Sequence, residues 1–194
     1  MAPMRGALIW SALVLAIAVP LIAAAQSPLL QWRDPVYIIA GFAGIVGLAL
    51  LLVQFLLIAG VLPGVSARRA HIWTGAGLVI AVFLHVAGLW ITSPPDVVDV
   101  LLFRSPTPFS VWGVVAMWAV FATAGLAAFR KRLGLRAWRL GHSAAAVVIV
   151  SGTVIHAWLI QGAMEVTTKL GLCLIVVAAA VWVLRRRRVW RMLR

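Results

Sequence analysis

The chain has 194 residues, of which 64% are hydrophobic and 11% charged, and its mean hydropathy is +1.10. Soluble domains run about 45–50% apolar and about 25% charged, so this composition excludes a soluble globular domain and a disordered chain, and long unbroken apolar runs exclude an alternating membrane barrel. A net charge of +13 would suggest nucleic acid on a soluble protein, but here the basic residues lie between and beyond the apolar runs, so they read as topology signals and no nucleic acid is expected.

A helix needs about 20 apolar residues to cross the hydrocarbon core of a bilayer. Six runs qualify, at 6–25, 36–62, 69–92, 110–129, 138–161 and 167–184. Lipid offers the backbone no hydrogen-bond partner, so each run is expected to be helical. The first follows Arg5 and ends at Ala23-Ala24-Ala25, a pattern shared with signal peptides; a retained helix is the expectation, and cleavage would leave five spans in the same orientation. Pro28 and Pro35 bracket the first connection and Pro63-Gly64 opens the second. Pro94-Pro95, Pro106 and Pro108 shape the third. Cys173, the single cysteine, lies inside the last run and reads as a small buried hydrophobe. The expected fold class is all-α: one polytopic membrane domain over 1–194, a six-helix bundle whose core covers about 36–184, with a basic tail at 185–194.

The charges divide between two sides. One side holds Arg5, Arg68, Arg69, Arg130, Lys131, Arg132, Arg136, Arg139, Arg185–Arg188, Arg191 and Arg194, with no acid. The other holds Arg33, Arg104 and Lys169 with all four acids, Asp34, Asp96, Asp99 and Glu165. By the positive-inside rule the first side and both termini are cytoplasmic, in a multi-pass protein of the cytoplasmic membrane. Trp32, Trp73, Trp90, Trp138 and Trp158 fall near span ends, as an interfacial belt would.

All four histidines lie within apolar runs: His71 and His85 in the third, His142 and His156 in the fifth. Fourteen helical residues turn through four full turns less about 40°, so both histidines of a run share a face, roughly 21 Å apart along the axis. Adding 71 carries His71 to His142, His85 to His156 and Arg68 to Arg139. Both helices start from the cytoplasmic side, so His71 can face His142 at one depth and His85 can face His156 at another. A lone intramembrane histidine often serves only a helix–helix hydrogen bond, but two registered pairs of ionisable groups point to function.

Two facing histidines suit a metal that brings its other ligands. Zinc wants three or four protein ligands, and no carboxylate lies inside a span. Haem supplies four nitrogens and leaves both axial positions to histidine. C-x-x-C-H is absent, so the haems are expected to be b-type, an inner one on His71 and His142 and an outer one on His85 and His156. Gly75, Gly77, Ala81 and Gly88 around one pair, and Ala145, Ala146, Gly152 and Ala157 around the other, offer room for a porphyrin, although small residues also serve plain helix packing. Arg68 and Arg139, three residues before the inner histidines, can meet propionates by charge-assisted hydrogen bonds or simply anchor the helix ends. Arg104 and Lys169 are candidates for the same role at the outer level. Bis-histidine sites favour electron transfer over oxygen chemistry at the iron.

Six spans with H-x13-H on the third and on the fifth, together with Trp138-Arg139-Leu140-Gly141-His142 leading to His156, resemble the ferric reductase-like transmembrane domain. That family includes ferric-chelate reductases, NADPH oxidases and the haem-binding membrane subunit of bacterial methionine-sulfoxide reductase systems. The resemblance covers about 36–184 and implies the same four haem ligands. Many relatives continue into flavin and nicotinamide domains. Here no G-x-G-x-x-G follows a strand, so the expected donor is a separate flavin reductase, a bound flavin or membrane quinol. The basic side can also dock an acidic flavoprotein or anionic lipid.

The leading expectation is the membrane electron-transfer component of an oxidoreductase, passing electrons to a ferric chelate or partner reductase outside the cytoplasmic membrane. The alternative is a quinol- or flavin-linked haem anchor for an extracytoplasmic reductase, with Gln54 and Gln161 as polar contacts for quinone or for helix packing. A haem-free proton-coupled transporter is the third reading, disfavoured because such carriers usually place Asp, Glu or Lys within the spans.

Overall fold

The computed structural model describes residues 2–186. Among them are seven α-helices and no strand: α1 (Ala2–Ala25), α2 (Pro35–Ala59), α3 (Ala67–Thr92), α4 (Pro94–Leu101), α5 (Ser110–Ala128), α6 (Leu135–Leu159) and α7 (Val166–Arg186). Six of them, all but α4, are long and apolar enough to cross a membrane. The tail from Arg187 to Arg194 lies outside the described residues.

The helix ends follow local chemistry. Asp34 caps α2, its Oδ1 accepting from the Val36 amide at 2.7 Å, with Pro35 in the first turn where a missing N–H costs nothing. The second apolar run continues to 62, but the helix stops at Ala59. Gly60 takes a left-handed backbone, φ 69°, and the Gly60 and Val61 amides turn back to the Leu57 and Leu56 carbonyls. The same logic makes a helix of the segment after Thr92, expected to be only a proline-shaped connection. Pro94 and Pro95 occupy the first turn of α4, where proline is tolerated.

Glu165 starts α7. Its two carboxylate oxygens accept from the Thr167 and Thr168 amides, both at 2.7 Å, and these bonds hold its pKa down at about 2. A pKa lowered on folding stabilises the fold fully above the ordinary carboxylate value, and that contribution fades as pH falls through about 2. Glu165→Ala is therefore expected to melt below the parent protein in detergent at neutral pH, with the gap closing under strong acid.

Two antiparallel hairpins dominate the packing, α2 on α3 and α5 on α6; α7 packs against α2 and α6, and α1 lies at the margin against α7 and α2. Leu48, Leu52, Val120, Ile149, Leu172 and Val176 fill the centre. Cys173 is buried there as a free thiol, as expected. Leu15, Ile39, Ile80, Phe83 and Leu174 point outward, an arrangement that suits lipid and not water. Gly6 lies against Pro63, and the Arg186 guanidinium donates to the Ala59 carbonyl at 3.2 Å. Both ends of the described chain thus share one face of the bundle with the connections 60–66 and 129–134, called here the basic end. Asp34, Asp96, Asp99 and Glu165 mark the opposite, acidic end.

Candidate functional site

The two hairpins bring α3 and α6 together with their histidines facing. The His71 and His142 ring centres are 6.1 Å apart near the basic end. The His85 and His156 ring centres are 6.4 Å apart toward the acidic end. A metal bound between two imidazole nitrogens sets ring centres roughly 6.4 Å apart, from two metal–nitrogen bonds of about 2.0–2.1 Å and about 1.2 Å from each nitrogen to its ring centre. Ring planes 63° and 81° apart are compatible with this, because each ring can turn about its metal–nitrogen bond.

At the acidic-end level the ring orientation is fixed by the backbone. His85 Nδ1 lies 2.7 Å from the Ala40 carbonyl oxygen, and His156 Nδ1 lies 2.9 Å from that of Phe109. A carbonyl only accepts, so Nδ1 carries the proton in both rings and Nε2 keeps its lone pair for a metal. Gly44 and Gly113 make this approach possible: a Cβ on Gly44 would fall 3.0 Å from His85 Nδ1, and one on Gly113 would fall 2.7 Å from His156 Nδ1. Each glycine sits four residues after the accepting carbonyl, and the two sets are 69 residues apart. Sequence reading missed both glycines, although this second repeat lies beside the histidine repeat.

The basic-end level is different. Among the described residues, His71 Nδ1, His142 Nδ1, Trp138 Nε1 and Gln54 Oε1 are buried and meet no hydrogen-bond partner. Gln54 is 8% exposed, and its amide donates to the His71 backbone carbonyl at 3.1 Å, which ties α2 to α3 beside the histidine. Trp138 is half-buried. It stacks on His142, with centres 5.3 Å apart and planes 24° apart, beneath the Arg130 guanidinium at 4.7 Å. Trp32, Trp73, Trp90 and Trp158 are exposed, as a belt requires.

Arg68 and Arg139 are exposed, one turn before His71 and His142. Arg104 and Gln161 are exposed as well. Lys169 is only 6% exposed, and its ammonium donates to the Ile160 carbonyl at 2.8 Å, supporting the end of α6 just past His156. Among the described residues no group of three or more His, Cys, Asp or Glu comes together, so each histidine pair has two protein ligands to offer.

Several small residues have a more ordinary role than making room for a porphyrin. A Cβ on Gly88 would fall 2.7 Å from the Ala40 Cβ, and one on Gly152 would fall 2.9 Å from the Trp112 carbonyl and 3.0 Å from the Ala116 Cβ. These glycines let the paired helices of each hairpin touch. Gly152→Ala is expected to lose about 1–3 kcal/mol to overpacking, because neither neighbour can swing aside. Gly41→Ala, with nothing within 4 Å, is expected to be neutral or stabilising; thermal unfolding in detergent compares the two.

A family model described as the ferric reductase like transmembrane component matches residues 43–153. The chain belongs to the ferric reductase-like transmembrane family. The match begins beside Gly44, includes His71, His85 and His142, and ends three residues before His156. No curated protein and no solved structure matches the chain. Membership makes it a multi-pass membrane protein of a family that serves membrane electron transfer and commonly binds haem.

Proposed function

We propose that this ferric reductase-like chain is a two-haem b electron conduit across the cytoplasmic membrane. His71 and His142 hold one haem near the basic end, and His85 and His156 hold the other toward the acidic end. When bound, haem supplies reversible one-electron chemistry at its iron. A haem held by both histidines of a pair would favour electron transfer over oxygen chemistry at its iron. Arg68 and Arg139 supply positive charge at the level of the first pair, within one helical turn.

The observation carrying this reading is the ring-centre separation, 6.1 and 6.4 Å, found at two depths between the same two helices. By the positive-inside rule the basic end faces the cytoplasm, so electrons enter at His71/His142 from a flavin reductase or quinol and leave at His85/His156. The acceptor there is a ferric chelate or a partner reductase.

A reduced-minus-oxidised spectrum of the purified protein, with a haem-to-protein ratio, tests the reading. Two b-type haems per chain are expected; a colourless protein sinks it. Reduction by NAD(P)H with a flavin reductase, set against reduction by added quinol, then identifies the donor.

A further inference from the structure

The sequence repeat makes the two histidine levels look alike, but their hydrogen bonding differs. At the acidic end both Nδ1 atoms bond to backbone carbonyls, those of Ala40 and Phe109. At the basic end both Nδ1 atoms are buried and meet no partner among the described residues. The difference traces to Gly44 and Gly113. In a helix the carbonyl of residue i already accepts from the amide of residue i+4, as the Gly113 amide does to Phe109 at 3.2 Å. Its second lone pair is normally flanked by the side chain at i+4. Glycine there bares it, and the imidazole takes the place a Cβ would fill.

We infer that Gly44 and Gly113 are positioning residues that make the His85/His156 level the weaker electron acceptor of the two; this rests on the reading that each pair holds a haem. A proton drawn from Nδ1 toward a carbonyl gives the ring imidazolate character and strengthens its donation through Nε2. Stronger donation favours the oxidised, more positive iron over the reduced one, so the potential falls. The charge pattern acts in the same direction. Arg68, Arg130, Arg136 and Arg139 stand at the basic end with no acid and favour a reduced neighbour, while at the other end Asp34, Asp96, Asp99 and Glu165 outweigh Arg33, Arg104 and the buried Lys169 by a single charge. Electrons therefore rest near the basic end, and the step toward the acidic end is the uphill one, drawn by the acceptor and by a membrane voltage negative on the basic side.

Redox titration of the purified, haem-loaded protein tests this. The parent is expected to titrate in two components, with at least a tenfold preference of the electron for one, equivalent to about 59 mV for a one-electron couple. His85→Ala should remove the lower-potential component and His71→Ala the higher. Gly113→Ala should raise the lower component or empty that site alone, and Gly44→Ala should do the same more mildly. Gly41→Ala, on the same helix as Gly44, should leave both components in place. Loss of the higher component in His85→Ala overturns the inference, as does a Gly113→Ala protein with both components unmoved or shifted together. If Gly113→Ala fails to fold, Gly44→Ala and the His85→Ala assignment still decide it. A parent protein without haem would instead sink the underlying reading.

Discussion

His156→Ala is expected to cut the haem content from two per chain to one, His142→Ala to do the same at the other level, and the double variant to bind none. The size of the effect separates ligation from packing. Interhelical hydrogen bonds inside membranes average about 0.6 kcal/mol in measured cases, so a histidine that only bridges helices could be lost with little consequence. A ligand cannot, because the one remaining histidine would have to hold the haem from a single helix. The remaining level should keep its own spectrum, since about 21 Å of helix separates the two. Pyridine haemochrome assay against protein concentration gives the ratio directly. Unchanged haem content in the single variants would show that other groups bind it.

The histidine levels were legible in the sequence because ionisable residues are rare inside apolar runs, so four of them at matched spacing stand out. The six spans were legible for the complementary reason: long apolar runs have one stable backbone solution in lipid. What escaped was carried by residues with no chemical signature. The carbonyls that orient His85 and His156 belong to Ala40 and Phe109, and any residue has a carbonyl. Only the glycines four positions later mark them. Gly88 and Gly152 carried a misleading signal, because close helix contact and room for a cofactor both call for small residues, and the structure places these two against Ala40 and Trp112. The position of Trp138 near a span end points to a belt and says nothing of its contact with His142. Its four-residue spacing from His142 was the available clue to the stack. The helix α4 was hidden because two prolines read as a break, although their fixed φ suits a first turn.

In sealed vesicles, His156→Ala is expected to lose transmembrane electron transfer while its remaining haem still reduces at the parental rate. The measurement places a membrane-impermeant reductant on the basic side and a ferric chelate on the other, and follows haem and iron separately. The hydrocarbon core is about 30 Å thick, and the two histidine levels divide it into steps. Electron tunnelling weakens steeply with distance, so emptying the level toward the acidic end leaves that half of the crossing without a redox group. Iron reduction should then fall to that of protein-free vesicles, and parental transfer in this variant would refute the two-step path. The voltage dependence gives the direction. A negative charge moving away from a negative compartment gains roughly 2.3 kcal/mol per 100 mV over the full crossing, so a potential negative on the basic side should speed iron reduction and an ionophore should slow it. The opposite response would mean that electrons run from the acidic end to the basic end.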